Sequence, residues 1–295
     1  MAHVTKRTIG GTAYFYLEHT IRSGNSFRKE EKYLGKSLPK NLEEVKNEFL
    51  SEIYKARWYP LLESVKKNYR NEMSCVPSSI NSKQARIFSI RFTYDTNRIE
   101  GGKLSYRETS DLLEKGISPK GKPVQDVKEA EAHDKLFQEV LEHKKELNLQ
   151  TVIYWHKKLF AGTKPDLAGN IRDYGVAISG CKYVPPTPVE VYPLLKAYFS
   201  WYNKNRKTLN PVEIAGLAHL KLVTIHPFGD GNGRISRLVM NYILHKEGYP
   251  MMNISYENRT SYYNALERAQ TKKQDNIFIQ WFIKKYLKEN KQYIK

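Results

Sequence analysis

The run Thr224-Ile225-His226-Pro227-Phe228-Gly229-Asp230-Gly231-Asn232-Gly233-Arg234-Ile235-Ser236-Arg237 decides how this chain reads. Before it lies an apolar helix that opens at Asn210-Pro211-Val212-Glu213, where an N-cap, a first-turn proline and a glutamate three residues on all agree. After it a second helix continues to Gly248-Tyr249-Pro250. Gly231 and Gly233 let successive backbone N–H groups converge at that helix's N-terminus, where the macrodipole also favours an anion. Arg234 and Arg237 stand three apart, so they share a face and can close over the same phosphates. Asp230 adds a lone carboxylate suited to magnesium, an ion usually held by one or two carboxylates plus the substrate's own phosphates. Asn232 can donate an amide hydrogen bond to the same anion.

His226 precedes Pro227, which disfavours helical geometry and puts the imidazole at the helix end, facing the loop. A ring that titrates near neutral pH beside a bound triphosphate is suited to taking a proton from an attacking hydroxyl. Each part has a bland explanation: a lone histidine at a helix end is usually structural, a GxG loop is usually a turn, and helical arginines are usually solvated. Their occurrence together, in this order and in so short a run, decides against the bland set.

Upstream, Gly11 to Gly35 alternates, with Ala13, Phe15 and Leu17 on one face and Tyr14 and Tyr16 on the other, and breaks at Ser23-Gly24-Asn25. That pattern predicts a β-hairpin arm. From Asn41 the period becomes helical, with Leu42, Val45, Phe49 and Ile53 recurring and with Asn41 and Glu44 placed for a capping box. A further helix from about Ser82 carries Ile87, Ile90 and Tyr94 on one side and stops at Glu100, where Gly101-Gly102 supplies a C-terminal cap. Gly116 to Lys122 nearly matches a phosphate-binding Walker loop, but Pro123 stands where Ser or Thr must hold magnesium and no apolar strand precedes it, so it reads as a loop. Tyr174 to Gly180, followed by the proline-rich Val184 to Pro188, reads as a short hairpin among helices. His219 and His156 lack neighbouring metal ligands and read as satisfied helical histidines.

The chain has 295 residues, 40% of them hydrophobic, which is enough for one large core or two modest ones. No apolar run approaches the roughly 20 residues of a transmembrane helix, and the N-terminus lacks a signal-peptide pattern. Two distant cysteines, Cys75 and Cys181, exclude a disulfide framework and fit a reducing compartment, so a cytoplasmic protein is expected. The formal charge of +18 attracts phosphates, nucleic acid or acidic proteins and chooses none of them.

The central run resembles the signature of the Fic family, HPFx(D/E)GNGRxxR, with every specified position filled. The likeness extends upstream to about Ile90 and downstream to Asn258 through Leu266, but not to the N-terminal arm. It implies a mainly α fold: a helical Fic core, residues 41–295, with a β-hairpin flap and a small N-terminal β-hairpin arm over residues 1–40. The inhibitory helix would span about 82–101 and the catalytic core about 150–250. The implied activity is protein adenylyltransfer, the movement of AMP from ATP to a protein hydroxyl with Mg2+. Position by position, His226 would be the base, Asp230 the magnesium ligand, Gly231, Asn232 and Gly233 the anion loop, and Arg234 and Arg237 the ligands of the β- and γ-phosphates. Tyr263 and Gln270 would contact the base, although some relatives carry Asn at the latter position. The flap, Asp173 to Gly180 after Arg172, would pair with the target's backbone, gripping it through Val176 and Ile178.

Thr96-Asn97-Arg98-Ile99-Glu100-Gly101 resembles the family's inhibitory motif, (S/T)xxxE(G/N), in its N-terminal placement. Physics supports it independently: a carboxylate on the last turn of a helix meets the negative end of the dipole and needs a cation, for which Arg237 is the candidate. Thr96 lies one turn back on the same face. The expected partners are ATP and a protein target, without a membrane. Self-modification and a homodimer are left open. Two other readings stand beside adenylyltransfer: removal of AMP, alone or in addition, with Glu100 orienting a water, and a basic nucleic-acid-binding regulator. Against the regulator, basic residues are spread through the chain and no nucleic-acid-binding signature is present, so only weak binding is expected.

Overall fold

The computed structural model describes residues 2–23 and 26–294. It divides into two compact units, Met1–Glu63 and Ser64–Lys295. The division falls inside a long helix, α1 (Leu42–Cys75), rather than at residue 40.

The first unit carries an antiparallel meander of three strands, β1 (His3–Ile9), β2 (Thr12–Ser23) and β3 (Ser26–Gly35), in that order. The expected two-stranded arm is therefore corrected to three. The extra strand has little apolar content, but its Val, Thr and Ile residues suit a sheet, and Gly10-Gly11 joins it to β2 with both residues at positive φ, 58° and 79°. Leu17 of β2 is fully buried. Arg7 of β1 reaches across to both Glu18 of β2 and Glu31 of β3 at 2.6 Å, which ties the strands together by charge. The turn residues Gly24 and Asn25 lie outside the described residues.

The second unit is built of helices: α2 (Ser78–Ile99), α3 (Tyr106–Lys115), α4 (Val124–Glu142), α5 (Leu149–Phe160), α6 (Pro188–Asn205), α7 (Pro211–Ile225), α8 (Asn232–Lys246), α9 (Arg259–Lys272) and α10 (Asp275–Glu289). α7 is buried on nearly every side from Val212 to Leu220, as a central helix must be when it is apolar all round. Asn210 caps it by accepting from the Val212 N–H at 2.9 Å, with Pro211 at the first position. α8 packs along α7, with α6 and α10 on the other sides of α7, and α4, α5 and α2 against α8. Gly116 to Pro123 is the connection between α3 and α4.

α2 begins at Ser78, a turn earlier than its pattern suggests, and Ile87 is exposed. Its buried face is Ile90, Phe92, Thr93, Thr96 and Ile99, and Phe92 meets Phe137 of α4 at 5.0 Å between ring centroids. The helix ends as expected, with the Gly102 N–H bonded to the Asn97 carbonyl at 2.9 Å. Asp95, 1% exposed, anchors it: the carboxylate accepts from Arg91 Nε (2.9 Å), Asn253 Nδ2 (2.6 Å) and the Tyr256 N–H (2.8 Å). These bonds fasten α2 to the segment between α8 and α9.

Asp95→Ala strands the part-buried amide of Asn253 and N–H of Tyr256, so we expect it to cost about 2–4 kcal/mol of stability. The measurement is the urea midpoint; a variant as stable as the parent would remove Asp95 as the anchor.

Candidate active site

At the end of α7 the chain turns sharply. His226 adopts a left-handed conformation (φ 52°, ψ 58°), and its N–H closes the helix on the Leu222 carbonyl at 3.1 Å. Pro227 disfavours helical geometry at His226, which is why the helix stops there. The imidazole Nδ1 lies 3.2 Å from the Val223 carbonyl, which accepts only, so Nδ1 carries the proton and Nε2 is left as a free base. Burial pushes the ring below its ordinary range, keeping it neutral at pH 7. Arg172, 3% exposed, fixes the corner from outside. Its Nε donates to the His226 carbonyl (2.7 Å) and its backbone N–H to the Pro227 carbonyl (3.0 Å). Its two other nitrogens hold the carbonyls of Tyr174 (2.9 Å) and Pro186 (2.7 Å).

The loop after His226 is shaped by side chains that bond its backbone. Asn232 accepts from the Phe228 N–H at 2.9 Å and donates to the Phe228 carbonyl at 2.8 Å. Its amide therefore braces the loop. His156 of α5 stacks on Phe228 at 3.8 Å, accepts from the Gly169 N–H at Nδ1 (2.9 Å) and donates from Nε2 to the Asp230 carbonyl (3.0 Å). Gly231 opens α8 at φ 75°, and a Cβ there would lie 2.3 Å from the Phe160 ring. Only glycine fits that corner.

Arg237 lies on the second turn of α8 and is 1% exposed. Its Nη2 meets Glu100 Oε1 at 2.6 Å, and its Nε donates to Thr96 Oγ1 at 2.7 Å. A third acceptor, the Thr96 carbonyl, lies 3.2 Å from Nη2. Thr96, Glu100 and Arg237 are thus brought together. The Glu100 carboxylate also lies over the first turn of α8: a Cβ on Gly233 would be 2.3 Å from its Oε1. An anion sits where the dipole favours one.

Arg234, 3% exposed, points the other way, toward Glu129 of α4, with which it pairs closely, and toward Asp230 at 3.3 Å. Lys164, in the turn after α5, is closely paired with Asp230 and stands 3.3 Å from Glu129. The ring of Phe160 carries both cations, Arg234 at 4.7 Å and Lys164 at 5.1 Å. Glu129 and Lys164 adjoin the candidate site through these pairs, and the sequence did not suggest them. Among the described residues no group of three His, Cys, Asp or Glu side chains could hold a metal by itself.

Two cavities meet this constellation, and Glu100 lines both. One, about 150 Å3, reaches Asn97, Glu129, Lys164, Asp230 and Arg234. The other, about 240 Å3, is lined by His226, Gly233, Arg237, Tyr263, Gln270 and Ile178. Gln270 is buried and donates to Thr224 Oγ1 at 3.1 Å, while Tyr263 is 45% exposed and donates to the Ile99 carbonyl at 3.0 Å. Tyr263 therefore forms part of the cavity wall. The flap lies beside the same cavity, with Val176 and Ile178 half-buried and their neighbours exposed. No strand is present in residues 171–187, so the hairpin expected there is corrected to an extended loop. Pro185, Pro186 and Pro188 on the returning arm have no N–H to form a ladder.

Residues 146–244, which hold α7, the loop and most of α8, match the sequence profile of the Fic/DOC family. The protein adenylyltransferase Fic of Drosophila virilis is 35% identical over 180 residues, 60% of this chain and 37% of that protein. That of Drosophila ananassae is 34% identical over 180 residues, 60% of this chain and 36% of that one. The chain thus spans little more than a third of the length of these curated relatives. Among solved structures, a fragment of Fic-1 from C. elegans has a TM-score of 0.70 at 28% identity, covering 87% of this chain and 77% of that one. A Fic domain containing signaling protein from Bacteroides thetaiotaomicron, 23% identical with a TM-score of 0.71 over 79% of this chain and 95% of its own, shares the fold.

Three buried histidines surround the site, and burial lowers them from 6.5 to about 3 (His133 and His219) and about 4 (His156). The unfolded chain therefore binds protons that the folded one refuses. Their contribution to stability is complete above about pH 6.5 and is lost as pH falls, by roughly 2 kcal/mol per histidine at pH 5. Urea midpoints at pH 7 and pH 5 should show this loss, and His156→Gln should reduce it; an equal loss in the variant would exclude His156 as a contributor.

Proposed function

We propose that this chain is a protein adenylyltransferase that is held inhibited by Glu100. The observation that carries the reading is the His226 corner: a neutral imidazole with Nδ1 tied to a carbonyl and Nε2 free, at the wall of a cavity that also holds Arg237 and the first turn of α8. In the proposed reaction a target hydroxyl attacks the α-phosphorus of ATP. The new O–P bond forms, the bond to the β-phosphate oxygen breaks, diphosphate leaves with Arg237 and the α8 N-terminus holding its charge, and Nε2 of His226 takes the hydroxyl proton. Arg234 would hold the β-phosphate, and Tyr263 and Gln270 the base.

Magnesium fits the residues present. Asp230 already holds a cation, the Lys164 ammonium, and such an ion is bound by one or two carboxylates plus phosphate oxygens. When bound, it would neutralise charge on the diphosphate that leaves. The target would lie along residues 173–180 as an added strand, with Val176 and Ile178 toward it. The protein-bound hydroxyl can belong to a separate target or to a second copy of the chain. The setting we propose is the cytoplasm, where the free thiols of Cys75 and Cys181 persist.

Inhibition follows from the occupancy of Arg237. A charge-assisted bond to Glu100 is worth about 1.5–3 kcal/mol, which leaves roughly a tenth to a hundredth of molecules with that guanidinium free for a phosphate. Because Glu100 also lines the cavity of His226, a second reading has the same carboxylate orient a water for removal of AMP.

Glu100→Gly should raise labelling by ATP about tenfold to a hundredfold by this population arithmetic, while Arg237→Ala, which breaks the same pair but loses the phosphate ligand, should not. Labelled ATP with magnesium, followed by mass analysis, makes the comparison. Labelling of Glu100→Gly no higher than that of the parent, with the fold intact by circular dichroism, sinks the inhibitory reading. His226→Ala should lose transfer by roughly a hundredfold to ten-thousandfold with nucleotide affinity little changed, and transfer at the parent rate would remove His226 from the mechanism.

A further inference from the structure

We infer that Lys164 is a resident cation at the metal position of Asp230: its ammonium pairs with the carboxylate in the absence of a divalent ion and passes to Glu129 when one binds. The inference rests on the reading of Asp230 as a metal ligand. It adds a positioning residue to that reading, one that sets how strongly the site takes its metal.

The geometry is a ring of alternating charges. Asp230 pairs with Lys164 through Oδ2 and with Arg234 through Oδ1, Lys164 stands 3.3 Å from Glu129 Oε1, and Glu129 closes the ring on Arg234. Two carboxylates thus balance two cations. The two oxygens of Asp230 are not equivalent. Oδ1 is engaged by the Gly231 N–H and by Arg234, both part of the loop itself, and Oδ2 is met by Lys164. Oδ2 is therefore the oxygen that can turn to a metal without dismantling the loop. The ammonium that covers it comes from a different segment, the turn after α5.

Lys164 has somewhere to go. Glu129 is 8% exposed and is already within ion-pair distance of Nζ, so the transfer needs a rotation of the lysine stem and no backbone shift. Arg234 cannot make the same exchange, because it is buried and splayed between Glu129, Asp230 and Asn97. The turn that carries Lys164 is itself held: the Lys164 N–H bonds the Phe160 carbonyl at 2.8 Å, and its own carbonyl accepts from Leu167 and Ala168 at 3.0 Å. A fixed backbone with a flexible, quarter-exposed ammonium suits a group that alternates between two carboxylates.

The test is Mn2+ binding to the full chain in the presence of a non-hydrolysable ATP analogue, which supplies the phosphate oxygens, read as the Mn2+ dependence of analogue affinity so that turnover does not enter. Lys164→Met should bind Mn2+ about fivefold or more tightly than the parent, since the ion no longer competes with an ion pair. Lys158→Met removes the same charge from the surface of α5, where Lys158 pairs with Glu139 at 3.0 Å, and should change affinity by less than about twofold because solvent screens it. Lys164→Arg keeps the charge and should bind no more tightly than the parent. Adding Asp230→Asn to Lys164→Met should abolish the gain. If Lys164→Met binds Mn2+ no better than the parent while Asp230→Asn alone weakens it, Asp230 remains a metal ligand and the resident-cation inference fails. If Asp230→Asn changes nothing in either background, the metal reading of Asp230 fails and the inference falls with it. An equal gain in Lys158→Met would reduce the effect to net charge and overturn the proposal.

Discussion

A guanidinium buried to 1% exposure obliges the chain around it to supply acceptors, and Arg237 is that group here. Thr96 gives a hydroxyl and a carbonyl, and Glu100 gives a carboxylate. All three belong to one helix end, so the requirement of a single side chain on α8 fixes where α2 must stop and how it is rotated. Asp95 secures the same helix one residue before Thr96 by bonds to Asn253 and Tyr256. The Glu100–Arg237 contact is consequently not a loose latch. Its backbone is part of the core, and only the Glu100 side chain, about a quarter exposed, has freedom to leave.

The loop between α7 and α8 divides its labour in a way that the motif alone does not reveal. Asn232, His156 and Arg172 spend their polar atoms on backbone groups of Phe228, Asp230, His226 and Pro227. They set the curvature of the loop and the tautomer-competent pose of His226. These bonds leave the imidazole Nε2 of His226 unspent. Arg172 has a wider reach than its neighbours, since it also holds both arms of the flap through Tyr174 and Pro186.

Much of the site was legible because its parts are contiguous. His226 to Arg237 lie on one helix–loop–helix, and both the proline break and the glycine corner leave marks in the residue types. Thr96 and Glu100 were legible through their spacing and through the electrostatic cost of a carboxylate at a helix end. Glu129 and Lys164 were not, because they join the site only through tertiary packing and each sits in an unremarkable local pattern, a solvated-looking helix and a Gly-Thr-Lys-Pro turn. The brace that Asn232 forms on Phe228 was not legible, because an amide serves a backbone as well as a phosphate. In the arm, His3–Ile9 has too few apolar residues to announce a strand by alternation, whereas the flap alternates as a strand does but meets a returning arm that lacks donors. The position of the unit division inside α1 has no sequence mark, since the helical period continues across it.

The buried ion pair of Arg237 has a consequence for the energetics of any chain that lacks Glu100. Without Glu100, the core would retain a cation with part of its solvation unreplaced, so activity and conformational stability would be exchanged against each other at one position. Any anion that binds beside Arg237 would then complete the core. In such a variant the bound anion doubles as a structural cofactor, and the folded population becomes linked by mass action to its concentration.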